Sequence, residues 1–407
     1  MAHPAARAAR VVWGTGIDAE LRPVLAVSLA ASVASTGVWS FVGIWAIRRL
    51  GAQESTLGVA FLVNAAAGAA AAYLAGHLSD RFGRRPLVLA TLAGQVALLV
   101  GFLAVGGNEL AGLALVCVAG LFFQPGNPAT QAIVADLVPV ARHEAGYAAV
   151  RVASNLGTTM GPPFGAVLIA LASWSALFAG AALVALLGFV LALRLLPARG
   201  AFSPAEPPAR RSMPVVLHDR PFVLFLLSAL LAYLVYVSFE LVLPISLVSS
   251  HGVSPAAWGL IFVLNPLLVA LFQLPLTARL ALVPTSIKLS IAVPLMGLPF
   301  LLLSFVDTLP VIVAIVVVFV LGEMLWVPTA QTLVARLAPA DLRGAYMGAF
   351  ASTIALGFAL APLLGLVVRE HFGDGALWIA VAATSLVAGA GAADACWIAV
   401  GRRRILL

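Results

Sequence analysis

Charge is what this sequence has least of. Only 10% of its 407 residues are Asp, Glu, Lys or Arg, against 62% hydrophobic, and the mean hydropathy is +1.09. A soluble chain of this length needs charged surface to stay in solution, and this one cannot supply it. Lysine is almost absent: Lys288 is a single lysine among 23 basic residues. Cysteine is scarce as well. Cys117 and Cys396 each fall inside an apolar run and read as small buried residues, not as a disulfide or metal pair. The six histidines, His3, His77, His143, His218, His251 and His371, fall at loops or near the N-terminus, with no metal-ligand spacing. No metal and no cofactor is expected. A Walker-type phosphate loop is missing, which argues against direct ATP use. The apolar runs hold no nucleophile–base–orienter set, so no enzyme is expected. Residues 1–20 are polar, without an apolar core followed by a cleavage site, and no signal peptide is expected there.

What the chain has in quantity is long apolar runs. Twelve can be read, roughly at 22–48, 55–76, 86–106, 109–137, 144–170, 173–196, 220–249, 255–279, 286–306, 309–337, 342–369 and 375–400. Each is long enough to cross ~30 Å of hydrocarbon as a helix. Lipid cannot satisfy the open edge of a sheet, so helices are expected and the fold class is an all-α membrane protein. The longest polar interruption is Pro197 to Asp219, which contains Pro204-Ala-Glu-Pro-Pro and Arg210-Arg211 and reads as a linker. It divides the chain into an N-terminal segment (1–21), a first six-helix bundle (22–196), the linker (197–219), a second six-helix bundle (220–400) and a C-terminal segment (401–407).

The formal net charge of +7 does not point to nucleic acid, because the charge is sorted by side. With both termini cytoplasmic, 20 of the basic residues fall on the cytoplasmic side and only Arg48, Arg49 and Arg369 on the other. That asymmetry sets orientation by the positive-inside rule. Arg48 and Arg49 are its one local exception.

The two halves are repeats. At an offset of 200 residues, Pro128/Pro328, Gln131/Gln331, Val134/Val334, Pro139/Pro339, Leu156/Leu356, Gly157/Gly357, Pro162/Pro362 and Gly165/Gly365 are identical pairs. Chance does not readily align prolines and glycines in a chain rich in Ala and Leu.

Between the second and third runs lies Gly76-His-Leu-Ser-Asp80-Arg81-Phe-Gly83-Arg84-Arg85-Pro86. It resembles the signature loop of the major facilitator superfamily of transporters, Gly-x-Leu-(Ala/Ser)-Asp-Arg-x-Gly-Arg-(Arg/Lys), at every defined position. The resemblance covers essentially the whole chain. It implies twelve membrane helices in two pseudo-symmetric halves, with a substrate bound between them near the midplane. Gly83 can take the positive φ that a tight turn needs, and Gly76 lets another helix approach closely. Asp80 can face the positive end of a neighbouring helix. By resemblance that helix is the eleventh, which starts near Arg343, and the contact is a cytoplasmic latch. Asp136, Arg142 and Arg151 are placed to extend the network of Asp80 and Arg84. The corresponding loop of the second half, Thr277 to Lys288, has lost the motif and keeps only Arg279 and Lys288.

In the fifth run, Gly157, Gly161, Pro162 and Gly165 form Gly-x-x-x-Gly-Pro-x-x-Gly. The glycines permit close packing and the prolines kink the helix. The pattern resembles the motif of drug–proton antiporters in this helix, except that residue 166 is Ala where the motif has a further Gly. Many such antiporters carry an Arg in the middle of the fourth helix, where this chain reads Leu121-Phe-Phe-Gln-Pro-Gly-Asn-Pro128. Glu323 lies about midway along the tenth run, where a carboxylate is costly and marks a functional candidate. It and Glu240, nearer the outer face, are the candidate proton carriers. Cavity candidates are Ser35, Thr36, Trp39, Ser40, Gln124, Asn127, Asn155, Tyr236, Asn265, Gln273 and Trp326. For each, an interhelical hydrogen bond or packing role is the alternative.

The expectation is a monomeric secondary transporter in a bacterial inner membrane. Its partners would be the bilayer, a small-molecule substrate and protons. Export of lipophilic or weakly cationic compounds in exchange for protons is the reading the motifs favour. A sugar, amino-acid or other metabolite transporter of the same fold is the alternative, and a non-transporting membrane sensor a remote one. If Asp80 is a latch, Asp80→Asn shifts the balance toward inward-open states. Unchanged reactivity of cysteines introduced into the cytoplasmic cavity would sink that assignment.

Overall fold

The computed structural model describes residues 19–123, 130, 133–134, 137–138, 143–196, 218–305, 308–339 and 342–405. Among the described residues the regular elements are all helical. The first half contributes α1 (Arg22–Leu50), α2 (Glu54–Phe82), α3 (Arg84–Ala104), α4 (Glu109–Phe123), α5 (His143–Leu171) and α6 (Trp174–Leu195). The second begins with α7 (Arg220–Ser250), which is interrupted by a π-helical turn at Ser238–Val242. It continues through α8 (Pro255–Phe262, extended by Leu264–Arg279), α9 (Thr285–Gly297, tightened to a 3-10 helix over Leu298–Ser304) and α10 (Leu309–Leu337). The last two, α11 (343–372) and α12 (374–405), meet at Gly373, whose φ of 82° only glycine adopts without strain.

Among the described residues nine helical stretches are long and apolar enough to cross a membrane, with α11 and α12 counted together. Two of the twelve expected runs fall short by this measure. In α4 only Glu109–Phe123 is described, 15 residues. In α5, Asn155 and the glycines and prolines dilute an otherwise apolar helix.

Contacts group the chain into two compact units, 1–50 with 66–205, and 51–65 with 206–407. The division runs through α2, whose first turns cluster with the second unit.

In the first unit α5 packs along α1, and its glycines are the reason it can. A Cβ on Gly161 would sit 2.1 Å from the Thr36 hydroxyl and 2.7 Å from the Gly37 nitrogen; one on Gly165 would sit 2.6 Å from the Gly37 carbonyl oxygen. In the second unit α11 meets α7 by the same device. A Cβ on Gly357 would lie 2.6 Å from the Tyr233 Cβ, and one on Gly365 would lie 3.0 Å from a Val242 methyl. Leu177 backs Gly165 and Leu377 backs Gly365, so the 200-residue repeat extends to the side chains behind the contact. Without a hydrophobic force between helices in lipid, this closeness is what gives their van der Waals contact its strength.

Each unit also has an aromatic core. Trp45, Phe102 and Phe178 meet at centroid distances of 5.3, 5.2 and 5.0 Å in the first. In the second, Phe239 stacks on Phe319 at 4.2 Å and Phe300 lies 5.0 Å from Trp378.

Among the described residues of the second unit one guanidinium is buried. Arg369, only 8% exposed, ends α11 and faces carboxylates from two directions. It pairs with Glu54 of α2, donates from Nε to Asp374 at 2.6 Å, and donates from Nη2 to the Ser250 hydroxyl at 2.8 Å. The turn at Gly373 is what returns Asp374 to a guanidinium five positions earlier. Next to it the Ser55 backbone N–H donates to Glu370 at 2.5 Å. Gly58 completes the seat, since a Cβ there would be 2.9 Å from the Leu363 Cα. Arg48 and Arg49 have a simpler setting: both are exposed in the last turn of α1, where a cation complements the helix dipole. Removing the partner of a buried ion pair leaves uncompensated charge. Arg369→Ala is therefore expected to cost about 3–5 kcal/mol, read as a lowered unfolding temperature of the purified protein.

Candidate functional site

The second unit gathers two acids, a phenol and an amide around the middle of α10. Glu323 is the midpoint of that 29-residue helix. Gly322 beside it seats on α9, with space for no Cβ (2.6 Å from the Ala292 carbonyl oxygen), and Met324 is buried. The Glu323 carboxyl turns instead to α7 and α8. Asn265 of α8 donates from Nδ2 to one carboxyl oxygen at 2.5 Å, and the Tyr236 hydroxyl of α7 donates to the other at 3.4 Å. A second tie between α8 and α10 runs from Gln273 Nε2 to the Met324 carbonyl at 3.0 Å.

Glu240 joins this group through Tyr236, whose hydroxyl interacts with its carboxyl as well. The reason lies in the backbone of α7. Pro244 has no N–H to offer the Glu240 carbonyl four residues earlier. The helix answers with a π turn over Ser238–Val242, in which the Leu243 N–H reaches back five residues to Ser238. One extra residue in the turn re-aims the side chains around it, and such turns recur at functional sites. Glu240, Tyr236, Asn265 and Glu323 are all half-buried.

Aromatic rings wall the group. Tyr236 lies 6.0 Å from Phe319 and 6.0 Å from Tyr233, and Tyr233 lies 6.4 Å from Trp326. Trp326 itself is fully buried, stacked 6.2 Å from Phe225. Chemically, two carboxyls bridged by one hydroxyl can exchange protons or face a cation, and the rings offer an apolar, polarisable surface. Among the described residues no group of three or more His, Cys, Asp or Glu is placed to hold a metal ion.

In the first unit the candidates are spread along α1 and α5. Thr36 donates to the Ser32 carbonyl at 2.7 Å and lies 3.5 Å from the Gly157 carbonyl oxygen. Trp39 lies 6.2 Å from Phe123, Ser40 is half-buried and Asn155 is exposed. A polar cavity of about 110 Å³ opens nearby, with hydroxyls of Ser28, Ser32, Ser35, Thr91 and Ser154 and the amide of Gln95 on its walls. Gln95 donates to the Phe122 carbonyl at 3.0 Å. Of these only Ser35 was within reach of sequence reasoning; a lone Gln in the third run was the available sign of the rest. Tyr233 and Phe319 were missed for a similar reason, since aromatic residues in an apolar run carry no distinguishing pattern.

The signature loop is described in part. Gly83 has a φ of 94° and separates α2 from α3. Arg85 donates to the Leu193 carbonyl at 2.6 Å, capping the last turn of α6. Arg84 is half-buried and Arg151 exposed. Gln124, Asn127, Asp136 and Arg142 lie outside the described residues, as do the side chains of Asp80, Arg81 and Arg343, whereas Gly76 falls within α2.

A model of the Major Facilitator Superfamily matches residues 24–362 and, in a second match, 225–405. The chain belongs to the major facilitator superfamily. Among curated members of that superfamily it is similar to a Na(+), Li(+), K(+)/H(+) antiporter of Planococcus maritimus, with 25% identity covering 86% of this chain and 90% of the relative. It is also similar to the multidrug resistance protein MdtH of Edwardsiella ictaluri (strain 93-146), at 28% identity over 79% and 80% of the two chains. Among solved structures, the nucleoside transporter NupG aligns with a TM-score of 0.72 at 15% identity, over 91% of this chain and 98% of the other. The peptide transporter POT with sulfate bound aligns at 0.73 and 16%, over 92% and 94%. At those identities the likeness shows the transporter fold.

The tie between Asn265 and Glu323 is open to a direct check. Asn265→Leu leaves the carboxyl with Tyr236 alone and is expected to cost about 1–3 kcal/mol. The pair Asn265→Leu with Glu323→Leu removes both partners and is expected to recover most of that loss in a thermal unfolding series.

Proposed function

We propose that this member of the superfamily is a secondary transporter that exports lipophilic or weakly cationic small molecules in exchange for protons. The observation that carries the reading is the mid-helix acid Glu323, held by Asn265 and Tyr236 and linked through Tyr236 to a second acid, Glu240. In this reading Glu323 and Glu240 take up protons from one side of the membrane and release them to the other, with the Tyr236 hydroxyl between them. Protonation and substrate binding then compete, because a cationic compound is held best by an ionised acid. The aromatic wall of Tyr233, Tyr236 and Phe319 supplies the apolar part of the contact. Similarity to MdtH supports the choice of drug-like compounds. The Gly157 to Gly165 pattern and its close seat on α1 support export. The remaining parts of the proposal are a monomer in the bacterial inner membrane with both termini cytoplasmic, and two six-helix halves working by alternating access. Asp80 facing the start of α11 serves as the cytoplasmic latch. Chemical conversion of the substrate forms no part of the reading.

A second reading takes an alkali cation as the cargo. The relative from Planococcus maritimus favours it, and the paired acids of the second unit would suit a cation. One assay separates the two. In proteoliposomes with an imposed proton gradient, ethidium movement that a protonophore abolishes supports the first reading. Sodium or potassium movement without it supports the second. In either case Glu323→Gln is expected to abolish proton-driven transport while the protein remains folded by size-exclusion chromatography. Undiminished coupled transport by Glu323→Gln removes Glu323 from the mechanism.

A further inference from the structure

The helix that supplies Asn265 is interrupted just before it. The two segments of α8, Pro255–Phe262 and Leu264–Arg279, meet at Val263. Pro266 is the cause, since it has no N–H for the Phe262 carbonyl four residues earlier. Asn265 therefore lies between the interruption and the proline that makes it. The first segment packs on the π turn of α7. Phe262 stacks on Phe239 at 5.8 Å, and Trp258 lies 5.7 Å from the same ring. The irregular backbones of the two helices thus touch.

Two amides of the second segment tie α8 to α10. Gln273 Nε2 donates to the Met324 carbonyl at 3.0 Å, and Asn265 Nδ2 donates to the Glu323 carboxyl at 2.5 Å. These ties respond differently to a proton. A main-chain carbonyl accepts equally well at any pH. A carboxylate accepts a charge-assisted bond, roughly twice as strong as the neutral bond that its protonated form accepts. Because an amide nitrogen only donates, the added proton belongs on the carboxyl oxygen that faces the Tyr236 hydroxyl, and a hydroxyl can turn and accept. Asn265 then keeps its acceptor and loses the charge behind it. Among the described residues the titratable groups that face Glu323 are Tyr233, Tyr236 and Glu240, all from α7. From α8 it meets the Asn265 amide, and α9 meets the neighbouring Gly322 with Ala292 and Met296.

We propose that Asn265 is a positioning residue that reads the charge of Glu323 and passes it to the interruption at Val263. An ionised Glu323 holds Asn265 against α10, and with it the first turn of the second segment. A protonated Glu323 holds it less tightly, and the backbone at the interruption loosens. Gln273 keeps the rest of the segment in place in both states. The response is thereby confined to the part of α8 that meets the π turn of α7. This assignment rests on the proposed role of Glu323 as a proton carrier. It adds the residue through which a change of charge becomes a change of backbone.

The test is amide hydrogen exchange of residues 262–268 in the purified full-length protein in lipid nanodiscs, followed from acidic to alkaline pH and corrected for the intrinsic rate at each pH. In the native protein, protection is expected to fall about tenfold as Glu323 takes up its proton, the difference between a charge-assisted and a neutral hydrogen bond. Glu323→Gln is expected to show the weaker protection at every pH. Asn265→Leu is expected to lose the pH dependence, and Asn265→Gln, which restores the donor on a longer arm, to recover part of it. Gln273→Leu is expected to lower protection by one factor throughout and leave the pH dependence intact, as a tie without a protonation state requires. Exchange needs no substrate, so a pH dependence that Asn265→Leu abolishes supports the assignment even where Glu323→Gln still transports. Protection that is independent of pH in the native protein overturns it. So does an Asn265→Leu protein that keeps the native pH dependence.

Discussion

Carrying a charge or an unpaired polar group into hydrocarbon is costly, and most of this structure follows from that cost. It makes each span a helix, because only a helix satisfies its own backbone. It confines charge to the ends of helices, apart from a few places where side chains answer one another. Arg369 is one such place: two carboxylates and a serine hydroxyl surround a guanidinium that is nearly out of contact with solvent. Glu323 is another, with an amide and a phenol converging on its two oxygens. In both cases the partners come from different helices. The same groups that make the charge tolerable also fix how those helices meet.

The second constraint is closeness. Lipid gives apolar side chains no reason to prefer protein over membrane, so helices associate by fitting against each other. The fit of α5 on α1 and of α11 on α7 depends on glycines at equivalent places in the repeat. Gly157 with Gly357 and Gly165 with Gly365 show that both halves inherited one solution to the same packing problem. The halves differ where chemistry is concerned. At the 200-residue offset Glu323 corresponds to Phe123 in the first unit, where the nearby cavity is lined by hydroxyls and one amide. The paired acids Glu240 and Glu323, and the rings that wall them, belong to the second unit.

The π turn of α7 joins fold to function. A proline in the outer part of a membrane helix removes one hydrogen bond, and the backbone absorbs the loss by widening a turn rather than by breaking. That widening carries Glu240, a residue whose position along the helix alone suggested the outer face. In the folded unit it shares Tyr236 with Glu323. A backbone irregularity thereby turns two separate acids into one group.

The sequence by itself determined the class of fold, the two halves and their family. Those features are written in quantities that survive without coordinates: run length, the sorting of arginines, the offset of 200, and a loop motif with every defined residue present. It also singled out Glu323, because a carboxylate is conspicuous in the middle of an apolar run. Tertiary structure decided who meets whom. Arg369 looked like a stray positive charge until the turn at Gly373 and the first turn of α2 brought Asp374 and Glu54 to it. Tyr233 and Phe319 are ordinary apolar residues in sequence and walls of a site in space. The physical reason is common to all of them. A residue's cost of burial depends on its own chemistry and can be read locally, whereas the partner that offsets the cost comes from another helix.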